Sequence, residues 1–327
     1  MNSKIIGTGS YLPEKVLTNF DLEKMVDTSD EWITSRTGIK KRHIADEKEA
    51  TSDLAAKAAV NALNAANLKA SEIDLIITAT LTPDKLMPST ASQVQRKINA
   101  KNAAAFDIAA ACSGFIYGIT IADQFIKSGL YQNILVIGAE TLSRFINWKD
   151  RTTCVLFGDG AGAVVLSGNN ETNKGITKTI LGTDGFKPVE WLDIEAGGSY
   201  KPASTYTNNN GEYFIRMNGR EIFKFGSKIL VDCLLAILED SHLSINDIDY
   251  IIPHQANMRI TQSAAHKLNI SEKKFIMNID ECANTSAASI PIALDQAVRS
   301  TKINTGDRLI LVGFGAGLTW GGVLINW

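Results

Sequence analysis

Cys112 is the residue of this 327-residue chain whose type and position best suit nucleophilic chemistry. It lies in the segment DIAAACSGFIYG, residues 107–118, where an apolar stretch gives way to small residues and a helix is predicted to begin at Ser113. First-turn amides have no intrahelical acceptors, and with the helix dipole they favour an anion. A thiolate there has a lowered pKa and is a better nucleophile. Free cysteine is also a common small core residue, so this segment alone leaves a structural role open.

His254 and Asn284 are the next residues whose types and positions suit chemistry. His254 follows a predicted strand, residues 250–253, and begins a polar segment. Asn284 opens NTSAASIP, residues 284–291, where small residues allow close backbone approach. Ligands of α/β folds bind at the carboxyl ends of buried strands. A lone asparagine is usually a turn residue, and a lone histidine is usually a hydrogen-bonded core residue. Here both residues lie at equivalent strand ends of a duplicated fold, which favours a shared site. The other histidines, His43, His242 and His266, lie in ordinary polar surroundings.

The elements that must position these residues come from an internal duplication. Residues 68–77 and 243–252 are each a short polar turn that leads into an apolar strand. A second pair at a similar offset, residues 133–139 and 309–315, is an apolar strand followed by glycine. Two matches at one offset, in matching context, predict two copies of one structural unit.

A helix is predicted before the first strand of each repeated pair. Thr51, Ser52 and Asp53 are candidate N-caps, and Ala or Leu then recurs with helical spacing up to residue 63. The second copy has a matching apolar run over residues 222–238. The strands between the helices are continuously apolar, which is typical of sheets covered on both faces.

These patterns predict two stacked α/β halves, residues 1–172 and residues 173–327, with the boundary in the polar segment 168–175. Cys112 then belongs to the first half, and His254 and Asn284 belong to the second. A loop-rich stretch within the second half is predicted to cover or frame a site. That stretch comprises residues 196–211.

Two glycine-rich segments need separate interpretations. Residues 158–163 have the spacing G-x-G-x-x-A, but an apolar strand rather than a helix follows them, so we predict a tight hairpin and no dinucleotide site. Residues 313–317 end a predicted strand. Their amides are either donors to an oxyanion or part of a simple turn.

Composition and charge exclude several classes of protein. The net charge of −2 gives no global basic signal for nucleic acid. The four cysteines form no Cys-x-x-Cys pair, which argues against zinc ribbons and disulfide scaffolds and fits a reducing cytosol. The longest uncharged apolar stretch, residues 108–122, is shorter than the roughly 20 residues of a membrane-spanning helix. With no signal-peptide apolar region near its start, the chain is expected to be cytoplasmic and to bind neither nucleic acid nor membrane.

Six segments together resemble the β-ketoacyl-acyl-carrier-protein synthase III family. They follow the family's order over nearly the whole chain and comprise residues 28–39, 107–118, 157–162, 253–257, 284–291 and 314–321. The resemblance implies a thiolase-like α/β fold, with five layers αβαβα made of two duplicated halves. It also implies a homodimer that catalyses the initiating condensation of type II fatty acid synthesis. Its substrates would be acyl-coenzyme A and malonyl-acyl-carrier protein, with no metal and no other cofactor.

The same resemblance implies a role for each residue of the candidate site. Cys112 matches the nucleophile that takes the acyl group from acyl-coenzyme A. His254 and Asn284 match the pair that binds the malonyl thioester carbonyl during decarboxylation. The backbone amides of Cys112 and Ala316 match the oxyanion hole, although the family often has glycine at the latter position.

Further positions match residues that bind substrate or carrier protein. They are Trp32 and Arg151 for the adenine of coenzyme A, Arg36 for its nucleotide, Phe223 and Asn257 for the pantetheine channel, Phe157 for substrate, Met87 for the end of the acyl pocket closed by the partner subunit, and Arg259, Lys224 and Lys267 for the acidic carrier protein. The acyl primer stays open. Met87 favours acetyl or short chains, but a flexible methionine also admits a branched starter.

One departure from the family and three alternatives accompany this interpretation. Glu-Cys-Ala, residues 281–283, precedes Asn284 where the family often has Tyr-Gly, and it brings Cys282 near the site without an assigned role. The order Cys, His, Asn also fits a papain-like cysteine hydrolase, but the signature of that class around its cysteine is missing. A non-catalytic acyl-binding protein is another alternative. The third is an acyltransferase or condensing enzyme of specialised metabolism on the same fold.

Overall fold

The computed structural model of the protein describes residues 2–171 and 174–327, and these residues form thirteen strands and ten α-helices. The strands are Asn2–Tyr11 (β1), Lys15–Thr18 (β2), Lys41–Ile44 (β3), Leu75–Ala79 (β4), Ala104–Ile108 (β5), Asn133–Thr141 (β6), Asp159–Asn169 (β7), Gly175–Thr183 (β8), Leu192–Asp193 (β9), Arg216–Met217 (β10), Tyr250–Pro253 (β11), Arg308–Gly315 (β12) and Thr319–Asn326 (β13). The helices are Asn19–Leu22 (α1), Asp30–Thr37 (α2), Thr51–Ala66 (α3), Thr90–Lys97 (α4), Gly114–Lys127 (α5), Thr205–Asn209 (α6), Gly219–Asp240 (α7), Met258–Leu268 (α8), Ile279–Cys282 (α9) and Ser289–Arg299 (α10).

The two main sheets repeat one arrangement of strands. The first sheet has the order β1-β7-β6-β4-β5, with β4 parallel to β5 and β6, and β7 antiparallel to β6 and β1. The second has the order β8-β13-β12-β11, with β11 parallel to β12, and β13 antiparallel to β12 and β8. The repeated segments of the sequence form β4 and β11 in one pair and β6 and β12 in the other. This agreement in order and direction confirms the predicted duplication.

The second sheet retains a trace of a fifth strand. Phe275 forms an isolated parallel bridge with Ile251 of β11, and the backbone N of Ile276 donates to the Ile251 carbonyl at 2.9 Å. This bridge occupies the place that β5 has beside β4 in the first half. The boundary predicted between residues 172 and 173 lies outside the described residues.

Three helical layers alternate with the two sheets. Helices α5 and α10 lie between the sheets, where Phe115 and Ile119 of the first and Ile290 and Leu294 of the second pack in one apolar core. Helices α3 and α4 cover the outer face of the first sheet. Helices α7 and α8 cover the outer face of the second. The order is therefore αβαβα, as the resemblance implies.

Two local predictions are wrong. The N-cap of α3 is Ala50, with Thr51 already helical, because Asp53 at the third position of the helix accepts a hydrogen bond from the Ala50 amide at 2.9 Å. Residues 158–163 do not form a hairpin, since β7 runs through them from Asp159. Gly160 and Gly162 instead allow α10 to pack closely: a Cβ at Gly162 would lie 2.6 Å from the backbone N of Ile292.

The two halves approach closely where β6 meets a short 3₁₀ turn, Ser286–Ala288, that precedes α10. An added Cβ at Gly138 of β6 would lie 2.2 Å from the carbonyl oxygen of Ala287. No real Cβ tolerates such a distance, so only glycine permits this approach. The approach sets the spacing between β6 and the turn, and therefore between the two halves of the fold.

We expect Gly138→Ala to lower the free energy of unfolding by roughly 1–3 kcal/mol, because the added methyl must displace backbone. The matched control is Gly185→Ala, at a glycine with no heavy atom within 4 Å of its added Cβ, where the change should stay within about 0.5 kcal/mol. Thermal unfolding of both variants beside the unsubstituted protein measures the difference. Equal effects at the two positions would contradict the close approach.

Candidate active site

Cys112 lies in a strained turn between β5 and α5. A 3₁₀ turn, Ala111–Ser113, joins α5 directly, so the helical region begins slightly before the predicted start at Ser113. Ala111 has a φ of 44°, in the left-handed region that a residue with a Cβ rarely adopts. Side chains hold the turn in place, since Ser113 Oγ donates to the Ala110 carbonyl and contacts Thr319 Oγ1, both at 2.7 Å.

The end of β12 fixes the other side of this turn. An added Cβ at Gly315 would lie 2.8 Å from the backbone N of Cys112 and 2.9 Å from its Cβ. The chain therefore needs glycine at this position. The next residue, Ala316, lines a pocket beside the thiol. Residues 315 and 316 thus belong to the environment of Cys112.

The Cys112 thiol is protonated at rest. The residue is only 5% exposed, and burial raises the pKa of its thiol to about 12, while the Ser286 hydroxyl lowers it and Glu140 raises it further. The helix N-terminus favours the anion, but burial opposes it, because desolvation disfavours the charged form. Nucleophilic attack therefore requires a group that takes the thiol proton.

His254 is buried and presents one ring nitrogen to the pocket. Its backbone N donates to the Val312 carbonyl at 2.8 Å, which holds the residue at the end of β11. Its Nδ1 lies 2.7 Å from Ser289 Oγ, and that oxygen also accepts from the Gln255 amide at 3.4 Å. We assign the Ser289 hydroxyl as donor to Nδ1, which leaves its oxygen free to accept from the Gln255 amide. The neutral imidazole carries its own proton on Nε2.

Asn284 is held by backbone on both sides, beside Phe157. Its amide donates to the Leu156 carbonyl and its carbonyl accepts from the Gly158 amide, both at 3.0 Å. Its side-chain Oδ1 accepts from the Ser286 amide at 2.9 Å. With Oδ1 engaged, Nδ2 is the atom that remains for a ligand. Both His254 and Asn284 thus offer an N–H donor.

Two pockets meet at Cys112. The first contains the three predicted catalytic residues and is lined by Cys112, Leu156, Phe157, Leu192, Met217, Gly219, Ile222, Phe223, Phe225, His254, Ala256, Asn257, Ile260, Asn284, Phe314 and Gly315. The second lies on the other side of the thiol and is lined by Leu81, Ala111, Cys112, Leu142, Phe157, Leu192, Asp193, Ile194, Ile215, Ser286 and Ala316. The predicted positions Phe157, Phe223 and Asn257 therefore lie in the pockets. Strand β9, which precedes the loop-rich stretch 196–211, contributes Leu192 to both pockets, and β10, which follows that stretch, contributes Met217 to the first.

Aromatic and basic side chains predicted to bind coenzyme A form one cluster. Arg36 and Arg151 lie over the Trp32 ring, with their guanidinium carbons 5.3 and 5.2 Å from its centroid. Arg151 also donates to the Asp27 carbonyl at 2.8 Å. Such stacking presents positive charge and an aromatic face together. The structure thus brings these three predicted residues together.

The predicted carrier-protein positions lie on α7 and α8. Arg259 is exposed, and its guanidinium carbon lies 5.8 Å from the centroid of the Phe223 ring at the first pocket. Lys224 is exposed and forms an ion pair with Glu221 at 2.7 Å. Lys267 Nζ donates to the Ser227 carbonyl at 3.4 Å. Arg259 is thus the predicted carrier-protein residue most closely associated with the pocket mouth.

Met87 does not line either pocket of this chain, although the resemblance places it at the end of the acyl pocket. It is 84% exposed, and its neighbour Leu86 is 89% exposed. Cys282 is buried and receives a 3.8 Å contact from Gln296 Nε2. Sequence reasoning missed Glu140, Ser286 and Ser289. Glu140 could have been noticed in the sequence, because it is an acidic residue within the apolar run that forms β6.

Two negative observations concern the described part of the chain. In residues 2–171 and 174–327, no group of three or more His, Cys, Asp or Glu side chains is arranged to hold a metal ion. Over the same ranges, no helix has both the length and the apolar character needed to cross a membrane.

Five αβαβα layers in two matching halves, with a cysteine of one half and a histidine and an asparagine of the other in one pocket, define a thiolase-like enzyme. Family profiles described as "3-Oxoacyl-[acyl-carrier-protein (ACP)] synthase III" and its "C terminal" match residues 106–185 and 238–327. The chain belongs to the 3-oxoacyl-[acyl-carrier-protein] synthase III family.

Named members of this family match the chain over nearly their full length. The β-ketoacyl-[acyl-carrier-protein] synthase III of Caldanaerobacter subterraneus is 56% identical, over 99% of this chain and 97% of the relative. The enzyme of the same name from Clostridioides difficile is 54% identical, over 100% and 99%. The crystal structure of 3-oxoacyl-[acyl-carrier-protein] synthase III from Aquifex aeolicus has a TM-score of 0.92 at 51% identity, covering 99% of this chain and 100% of that one. This membership excludes the papain-like hydrolase and the non-catalytic acyl-binding protein.

We expect the His254 imidazole to stay neutral between about pH 5 and pH 8, because burial lowers its pKa to about 3. The unfolded chain binds this proton near the ordinary value of about 6.5, so His254 reduces the stability of the fold as the pH falls below that value. The pH dependence of its ring resonances in NMR spectra measures the protonation, with His254→Asn identifying the signals. A midpoint near 6.5 would contradict the buried, neutral ring.

Proposed function

We propose that Cys112, His254 and Asn284 are the residues with which this chain carries out the reaction of its family. The chain is a condensing acyltransferase that initiates fatty acid synthesis. The observation that most supports the assignment is that one pocket contains a buried thiol, an imidazole held at Nδ1 by Ser289 and an amide whose Oδ1 is already engaged.

In the first half-reaction, Cys112 attacks the thioester carbonyl of acyl-coenzyme A and coenzyme A leaves. The tetrahedral intermediate places negative charge on the former carbonyl oxygen. The backbone amides of Cys112 and Ala316 are the proposed donors to that oxygen, and the close packing of Gly315 on Cys112 supports this pairing. Loss of such a donor typically slows a reaction by about 10²–10³-fold.

In the second half-reaction, malonyl-acyl-carrier protein loses CO₂ and its carbanion attacks the acyl-Cys112 carbonyl. Negative charge develops on the malonyl thioester oxygen as the C–C bond breaks. His254 Nε2–H and Asn284 Nδ2–H are the proposed donors to this oxygen. A neutral imidazole suits the role, because it donates a hydrogen bond without giving up its proton. The product is 3-oxoacyl-acyl-carrier protein.

The two pockets suggest how one thioester spans the site. The pantetheine arm would run along the first pocket past Phe223 and Asn257, with the nucleotide at the cluster of Trp32, Arg36 and Arg151. The acyl chain would enter the second pocket beside Phe157. Exposure of Met87 fits a homodimer in which the partner subunit's contact completes that pocket. No metal or other cofactor takes part, since coenzyme A thioester is itself the substrate.

The proposed carrier-protein surface comprises Arg259, Lys224 and Lys267, which would meet the acidic carrier protein at the first pocket. The proposed division into halves, residues 1–172 and 173–327, places the nucleophile in one half and the decarboxylation pair in the other. A cytoplasmic enzyme that binds neither nucleic acid nor membrane is the setting proposed for this chemistry.

We expect wild-type protein incubated with short acyl-coenzyme A to gain one acyl mass, and Cys112→Ala to gain none, because the thiol is the acyl acceptor. Intact-mass spectrometry measures the adduct. Cys282→Ala is the matched control, a second buried cysteine near the site, and it should acylate as wild type does. An adduct that persists in Cys112→Ala would refute Cys112 as the acyl acceptor. So would the absence of an adduct in wild type with every straight or branched C2–C5 acyl-coenzyme A.

We expect His254→Ala and Asn284→Ala to separate the two half-reactions. Acyl transfer to Cys112 should persist, since neither donor faces that oxyanion, while CO₂ release from malonyl-acyl-carrier protein should fall by about 10²-fold or more. Acyl-adduct formation and CO₂ release are measured on the same preparations. Equal loss of both half-reactions would contradict the proposed roles.

A further inference from the structure

Two buried polar side chains beside Cys112 have no part in either half-reaction. Glu140 lies near the end of β6 and is fully buried. Ser286 begins the 3₁₀ turn before α10, is 1% exposed and lines the second pocket together with Cys112. The close approach of Gly138 to Ala287 brings β6 against this turn. Cys112, Ser286 and Glu140 therefore form one cluster at the junction of the two halves.

Glu140 is an acid held by neutral donors. Thr82 Oγ1 donates to its carboxylate at 2.6 Å, Thr80 Oγ1 at 3.2 Å and the Leu81 amide at 3.2 Å. Within the described residues it forms no ion pair with a lysine, arginine or histidine. Burial raises its pKa to about 7, against the lowering effect of these hydrogen bonds. Both protonation states are thus accessible near neutral pH.

Ser286 stands between the acid and the thiol. Its backbone amide donates to Asn284 Oδ1, which fixes the residue. Its hydroxyl has no hydrogen-bond partner of standard geometry among the residues that the structure describes. Burial dominates the pKa values of both Cys112 and Glu140, and the same Ser286 hydroxyl lowers each of them. A short movement of this hydroxyl would therefore connect sulfur and carboxylate.

His254 is poorly suited to take the proton of Cys112. With the Ser289 hydroxyl assigned as donor to Nδ1, the neutral ring carries its proton on Nε2 and offers no lone pair to the thiol. Burial also lowers the pKa of the imidazole to about 3, which makes it a weak base. The site as assigned therefore lacks an acceptor for the thiol proton.

We propose that Ser286 and Glu140 form a proton relay that activates Cys112. The inference rests on the proposed role of Cys112 as nucleophile. In acyl transfer, the S–H proton passes to Ser286 Oγ as the Ser286 hydroxyl proton passes to the Glu140 carboxylate. Sulfur bonds to the acyl carbon, the bond from that carbon to the sulfur of coenzyme A breaks, and the departing thiolate takes a proton from water.

The relay runs in reverse when the condensation ends. The malonyl carboxylate leaves as CO₂ and its electron pair forms the new carbon–carbon bond. The bond from Cys112 sulfur to the acyl carbon breaks with its electrons on sulfur. Glu140 then returns its proton through Ser286 to that thiolate. Over one cycle Glu140 is unchanged, and the single proton consumed is the one on released coenzyme A.

Titratable groups on the elements around β6 either have partners of their own or are exposed to solvent. On β7, Asp159 accepts from Ser143 Oγ and from the Ala45 amide. In the loop after β4, Lys85 is exposed. In the same loop, Asp84 accepts a hydrogen bond from the Ser52 hydroxyl. Groups on α3, α5 and α10 form ion pairs: Asp53 with Lys97, Lys57 with Glu49, Asp123 with Lys127 and Asp295 with Arg299. Glu140 is thus the buried acid with access to the thiol.

The test is the pH profile of single-turnover acylation of Cys112, followed by intact mass with the C2–C5 acyl-coenzyme A that reacts fastest with wild type. Wild type should show a rise in rate with an inflection near pH 7. Glu140→Gln keeps an acceptor oxygen for Thr82 but cannot take a proton, so the inflection should vanish and the rate fall by about 10²-fold or more. Ser286→Ala leaves the acid in place and should give the same loss.

Thr80→Val is the matched control, because Thr80 contacts the same carboxylate but not the thiol. Losing one donor to the anion should move the inflection upward by about one pH unit without abolishing it. Iodoacetamide alkylation of Cys112 across the same pH range gives a readout independent of substrate. The relay would be overturned if Glu140→Gln and Ser286→Ala both kept the wild-type inflection and acylated at rates within about twofold of wild type. Absence of any adduct in wild type would instead refute Cys112 as nucleophile.

Discussion

The close backbone contact between the two halves is the constraint on which the rest of the structure depends. Gly315 of β12 lies against the backbone of Cys112, and Gly138 of β6 lies against the carbonyl of Ala287. Each contact joins a strand of one half to a turn that bears site residues in the other. Because neither position has room for a Cβ, the distance between nucleophile, imidazole and amide is fixed by backbone packing rather than by flexible side chains.

The same close packing determines the electrostatics of the site. Exclusion of water raises the pKa values of the Cys112 thiol and the Glu140 carboxyl and lowers the pKa of the His254 imidazole. All three shifts favour the uncharged form, as desolvation requires. Hydrogen bonds then decide what each neutral group offers. Ser289 leaves His254 with a donor at Nε2, and Ser286 leaves Asn284 with a donor at Nδ2.

Much of the fold and site could be predicted from sequence because their signals are local. Apolar runs at one offset predicted the duplicated strands, and the types and surroundings of Cys112, His254 and Asn284 predicted that they meet. The errors arise where tertiary contact overrides local pattern. Gly160 and Gly162 serve packing against α10 rather than a turn, and the start of α3 is capped through the Asp53 side chain. The pKa of Cys112 depends on burial that no segment reveals.

Glu140 shows why the remaining chemistry lies beyond sequence reasoning. Its neighbours along β6 are apolar and give it no function, while its hydrogen-bond partners come from residues 80–82, far away in the chain. A buried acid without a cationic partner is costly unless hydrogen bonds stabilise its charge or a proton removes it. Here neutral donors stabilise the anion and burial favours the acid, so the two forms are closely balanced. That balance, set beside a thiol whose burial opposes ionisation, gives the junction a reversible proton acceptor that the strand pattern alone cannot indicate.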